Sequence, residues 1–216
     1  MEEEVRILFL AAGTDDQSRR RLEQEAREIV ERLRAGPEWD AFKLITEWAV
    51  RAGDLQRHLL DHRPHVVHIG GRGTEAGDIL LADDGESQRP VSGRALAELF
   101  RILKDNIRVV VLNLPNAGGL VGELTTIIDY VVSTGDLSAR QSAVTFAAHF
   151  YQALVYRRSV AEAFELAKNQ LMLDGDPDYG KPVLFVGSPA AASHPLRSAG
   201  EHRPAAATHM TDAAPT

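Results

Sequence analysis

"RVVVLNLPNAGG", residues 108–119, runs from apolar and β-branched residues straight into Asn113, Pro115 and a glycine pair. A strand that is apolar on both faces belongs inside a parallel sheet covered by helices on either side. In such sheets ligands and reacting groups gather where strands deliver their carboxyl ends. The end of this strand is therefore the first place to look for function, yet its side chains are chemically inert.

Working outward, residues 5–12 (VRILFLAA) form a second all-apolar run of strand length, and residues 18–33 follow with Leu22, Ala26, Ile29, Val30 and Leu33 at helical spacing. Residues 41–48 alternate as a strand does. Residues 54–61, with Asp54 as cap, suit a short helix that Pro64 ends before the strand HVVHIGG. DILLADD, residues 78–84, with Gly85 reads as a hairpin, and Ser92 caps a helix to Leu103. After the opening strand, the pattern predicts a helix over 120–127, a short strand over 130–132, helices over 138–154 and 160–173, and a last strand, PVLFVG, at 182–187. Alternating strands and helices predict an α/β fold with a mainly parallel sheet of about six strands between two helical layers. One domain spans residues 1–188, and 189–216 read as a disordered Ala/Pro-rich tail.

Composition narrows the function classes. Of 216 residues 44% are hydrophobic and 25% charged, with no apolar run long enough for a membrane helix. Acid precedes the first apolar run where a secretory leader would carry base, so a cytoplasmic location is expected. A net charge of −7 speaks against nucleic acid, which requires clustered Lys and Arg. Arg19, Arg20 and Arg21 are followed at once by Glu23, Glu25 and Glu28, which reads as one solvated helix face. The count of zero cysteines excludes disulfides, thiolate metal sites and thiol nucleophiles together.

Three strand ends could build a site: residues 11–14, the glycines Gly70, Gly71 and Gly73 around Arg72, and residues 113–119 with Asn113 and Asn116. Glycine there admits a ligand or simply turns the chain. GGRGTEAG is spaced GxGxxxG with no helix at its last glycine, so it is no dinucleotide fingerprint. His58 and His62 lie four apart on a helix, but His65 and His68 fall beyond Pro64 and point to opposite faces of a strand. No metal and no cofactor are expected. Ser92, Ser133 and Ser138 sit where helix caps belong, and the pairs Asp15–Asp16 and Asp83–Asp84 sit in turns.

Taken in order, RILFLAA, RRRLEQEAREI, AVRAGDLQRHLLDHRPHVVHIGGRG, ILLADDG, VSGRALAELFRILKD, VVVLNLPNAGG, IDYVVS and VTFAAHFYQALVYRRSVAEAFELAKNQL resemble the CHAT domains of bacteria. These are caspase-like relatives of cysteine peptidases, often linked to defence. The resemblance covers residues 5–187. It implies a three-layer α/β/α caspase-like fold, in which active members carry a His-Gly base after strand three and an Asn-Ala-Cys nucleophile after strand four. Laid on this chain without a gap, those positions hold Arg72 and Pro115. A guanidinium accepts no proton near neutral pH, and proline offers neither a nucleophilic atom nor a backbone N–H.

The resemblance thus implies a degenerate pseudo-peptidase, not an enzyme, that works as a protein-interaction or regulatory module in bacterial signalling or defence. Arg72 would hold a carboxylate, a phosphate or an acidic peptide segment, or else pair with an acid of the fold. The expected partner is a protein, with neither nucleic acid nor membrane, and the final strand offers an edge for a homodimer. Two other readings stand beside it: a hydrolase using Asp83, Asp84 or His68, and a small-anion or nucleotide sensor.

Overall fold

The computed structural model describes residues 4–83, 87–135, 137, 140–187 and 196 (of residue 140 only the backbone). Among them, β1 (Val5–Ala11) is followed by α1 (Asp16–Arg34), β2 (Phe42–Trp48), α2 (Ala52–His62) and β3 (Val66–Gly70). A hairpin, β4 (Ile79–Ala82) and β5 (Gln88–Val91), precedes α3 (Gly93–Leu103), β6 (Val109–Asn113), α4 (Gly118–Leu124) and β7 (Tyr130–Ser133). Then come α5 (Arg140–Val155), α6 (Val160–Leu173) and β8 (Val183–Val186). Six strands form one sheet in the order β2-β1-β3-β6-β7-β8, parallel except for β8, which runs antiparallel to β7. The two runs that are apolar on both faces, β1 and β6, lie inside it, while polar-faced β2 and half-exposed β8 form its edges.

Strand alternation divides the core in two. Ile7 and Phe9 of β1, Val111 of β6 and Val132 of β7 pack with Leu22, Ala26 and Ile29 of α1 and with Phe146, Phe150 and Phe164 of α5 and α6. Leu8, Val67, Val110 and Val131 face the other way, toward Leu59 of α2, Phe100 of α3 and Leu120 and Leu124 of α4. This is a three-layer α/β/α domain. Local chemistry sets the element ends: the Asp15 carboxylate accepts from Ser18 N–H at 2.9 Å, the Ser92 hydroxyl accepts from Ala95 N–H, and Ser159 and Glu162 form a reciprocal capping box. Arg157, at φ 59°, turns the chain between α5 and α6. Two cap expectations fail. Arg51 precedes α2 without a side-chain cap, leaving Asp54 inside the first turn, and Ser133 ends β7, its hydroxyl accepting from Gly135 N–H. Asp84, Gly85, Ser138, Ala139 and the 189–216 tail other than Leu196 lie outside the described residues.

Candidate functional site

Parallel pairing of β3 with β6 sets Gly70 beside Asn113, so the loops that follow leave the sheet side by side. They touch: the Pro115 carbonyl oxygen lies so close over Gly73 that a Cβ there would overlap it. Gly71 N–H donates to the Asn113 carbonyl at 3.3 Å, and Arg21 of α1 donates to the Gly71 carbonyl at 3.1 Å. The structure therefore brings together both loops predicted to build the cleft. Arg72, Gly73, Pro115 and Asn116 reach the surface, Asn116 in the left-handed region at φ 59°, whereas Gly70, Gly71 and Asn113 are buried.

Arg72 has an acid within reach. Its guanidinium lies 3.7 Å from Asp15, with both side chains nearly half exposed. At that length and exposure the pair contributes little to stability and leaves the guanidinium free to add a second partner. The backbone N–H of Ser18 and then its hydroxyl hold the Asp15 carboxyl below the ordinary carboxylate range, with Arg72 a smaller cause.

Beneath the cleft lies a polar cluster that sequence reading missed. Glu25, taken as part of a solvated face, is fully buried. It stands three residues after Leu22 and four before Ile29, on the apolar stripe of α1, and that placement was the available signal. Both its carboxylate oxygens accept from the Asn113 amide at 2.8 Å, and the Asn113 oxygen accepts from the Thr134 hydroxyl at 3.2 Å. His68 of β3, also fully buried, stacks on Phe9 and sets Nε2 at 3.1 Å from Glu25 Oε1, off the line of an aligned hydrogen bond. Its Nδ1 meets the Tyr151 hydroxyl at 3.2 Å. With the ring proton on Nε2, toward Glu25, Nδ1 accepts from Tyr151. So Asn113 and His68 hold α1 and α5 to the sheet and do not open on the cleft. His68 cannot serve as the base of a surface hydrolase; Asp83 is half exposed, its backbone N–H donating to the Ser87 carbonyl and its carboxylate 4.0 Å from Arg89.

Burial first, and the Glu25 carboxylate second, push the Tyr151 phenol well above its ordinary value of 10.0. The folded protein therefore keeps that proton where the unfolded chain loses it. The stability contributed is whole below pH ~10 and lost as pH rises beyond it. Tyr151→Phe is expected to flatten the fall of the urea midpoint above that pH relative to wild type; parallel curves would be the contrary result.

The comparisons fit this geometry. A secreted C11 cysteine protease from Bacteroides thetaiotaomicron, solved with an irreversible peptide inhibitor, superposes with a TM-score of 0.61 at 10% identity, covering 85% of this chain. The fold is caspase-like. The chain spans 66% of that protease's length, just under two thirds. Pyridoxal kinases from Bacillus subtilis (TM-score 0.43, 11% identity, 79% of this chain and 91% of that one) and Staphylococcus aureus (0.42, 13%, 85% and 99%) match more loosely. No protein-family model and no curated protein matches. The expectation of a non-enzyme is corrected here, because the caspase-like structure that this chain resembles is a protease. Since the chain has no cysteine, any chemistry at its caspase-like cleft uses a group other than a thiol. Among the described residues, no helix is long and apolar enough to cross a membrane.

A second cluster lies on another part of the molecule. His58 and His62 converge on Glu47, the next-to-last residue of β2, while His65 accepts from the Arg6 N–H and His68 is buried against α1. Spacing alone paired the two helical histidines but could not supply the carboxylate from the neighbouring strand.

Proposed function

We propose that this caspase-like domain is a CHAT-like module of bacterial signalling or defence, working in the cytoplasm, that binds an acidic segment of a protein partner at the cleft after β3 and β6. One observation carries the reading: Arg72 stands half exposed on glycine-flanked backbone, beside the Pro115 loop, and among the described residues its guanidinium makes one long contact, to Asp15. A guanidinium so placed has donors to spare for a carboxylate. Arg21 binds the Gly71 carbonyl beside it and, with Arg20, Asp16, Gln24 and Gln141, lines an open groove between α1 and α5. The edge strand β8, with Val183, Phe185 and Val186 part-exposed, is the surface we assign to homodimer pairing.

A charge-assisted contact is worth about 1.5–3 kcal/mol, or roughly tenfold to hundredfold in affinity. Labelled peptides carrying Asp and Glu are expected to bind wild type and to lose at least about tenfold on Arg72→Glu, with Arg89→Ala as a surface control. Equal affinity of acidic and neutral peptides, or indifference to Arg72, would refute the reading. The likeness to a protease favours a second reading, hydrolysis without a thiol. The same panel decides it, since cleavage products that vanish with Arg72→Ala would establish turnover in this cleft.

A further inference from the structure

We propose that Glu47, His58 and His62 form a binding site for a divalent transition-metal cation of the zinc class. The two histidines lie four residues apart on α2, so they share a face, with ring planes 7° apart and centroids separated by 6.1 Å. Glu47 comes from the neighbouring edge strand. Its Oε1 is 3.2 Å from His58 Nδ1 and 2.7 Å from His62 Nε2, and the three ligand atoms all lie within 4.8 Å of one another. A tetrahedral ion with bonds of about 2.0–2.1 Å holds its ligand atoms about 3.3 Å apart. Small side-chain rotations convert the one arrangement into the other.

A plain set of ion pairs accounts less well for the same atoms. One carboxylate oxygen would have to serve two imidazoles, and it serves them unequally: His58 Nδ1 makes no aligned hydrogen bond. That nitrogen belongs to a side chain only 7% exposed and points at the cluster. A buried imidazole nitrogen left so is costly, and a cation taking its lone pair removes the cost. His62 and Glu47, each about a quarter exposed, form the outer side. The groove beside His62, lined by Arg6, Asp61, Arg63 and Asn106, gives access from solvent, and the Arg6 guanidinium there is engaged by the Arg63 carbonyl.

Ligand chemistry names the class. Two imidazoles and a carboxylate suit zinc and its first-row neighbours, whereas magnesium and calcium take oxygen ligands. Three protein ligands leave a fourth position to water. The site is independent of the Arg72 cleft, so either proposal can fail alone.

The test uses the full chain, stripped by a chelator and titrated with zinc chloride by calorimetry, with cobalt(II) absorption reporting coordination geometry. One zinc per chain is expected, undisturbed by excess magnesium, with a tetrahedral cobalt spectrum. Glu47→Gln and His62→Ala are each expected to weaken binding by about tenfold or more. Because His58 is buried, His58→Ala also removes packing, so the two outer variants carry the decision. His194, His202 and His209 can also take up zinc, and the Glu47→Gln/His62→Ala double variant isolates that contribution. Wild type and double variant binding alike would mean adventitious zinc only and overturn the proposal, as would no heat at micromolar zinc.

Discussion

Glu25→Ala is expected to lower unfolding stability by about 3–5 kcal/mol, the range for removing one partner of a buried charged cluster. The Asn113 amide loses both its acceptors, and His68 Nε2 loses the acidic group it faces. Glu25 and His68 are fully buried beside Phe9, Leu22 and Tyr151, and Asn113 nearly so. The cost exceeds that of Asn113→Ala, which leaves Glu25 with His68 still beside it. Urea titrations of both single variants and the double variant measure the coupling, and Glu25→Gln provides a folded comparison if the alanine variant fails to fold. A loss below about 1 kcal/mol would mean that the cluster does not hold the strand ends in place.

That cluster marks where sequence reading stopped. Periodicity located the strands, since the apolar runs of β1 and β6 could only lie inside a covered parallel sheet, and both do. Ser92 was legible as a cap because its hydroxyl reaches Ala95 N–H within one turn. Glu25 was not, because its charge outweighed its position: a carboxylate among arginines and glutamates reads as surface unless its place on the Leu22–Ile29 stripe is given priority. Its partners, Asn113 and His68, are far along the chain, and only strand order makes them neighbours. The same limit hid Glu47 from His58 and His62, since a β2 side chain meets α2 only once the strand takes the edge of the sheet.

The cleft itself was legible as a place and less so as a set of side chains. Arg72 and Pro115 fall on touching loops, as the two strand ends required, because β3 and β6 are parallel neighbours. Asn113, read as a ligand residue, instead faces inward, since the last residue of β6 is in register with Gly70 and points at α1. What reaches solvent is Arg72, Gly73, Pro115 and Asn116. If the acidic segment binds there as proposed, its affinity would depend on how closely the two loops approach each other.

Gly73→Ala tests that dependence. The new Cβ would overlap the Pro115 carbonyl oxygen, a backbone atom that no rotamer change can move aside. One of the two loops must therefore retreat. Overpacking of this kind costs about 1–3 kcal/mol. The displacement should matter more to binding than to folding, because it moves Arg72 relative to the Pro115 loop while the polar cluster below keeps β3 and β6 paired. Acidic-peptide affinity is expected to fall at least about tenfold in a variant that still unfolds cooperatively, whereas Gly122→Ala, inside α4 with open space around its Cβ, should leave affinity unchanged and raise stability slightly. Undiminished binding by Gly73→Ala would show that the two loops act separately, and Arg72 would then have to recognise its ligand without the Pro115 side of the cleft.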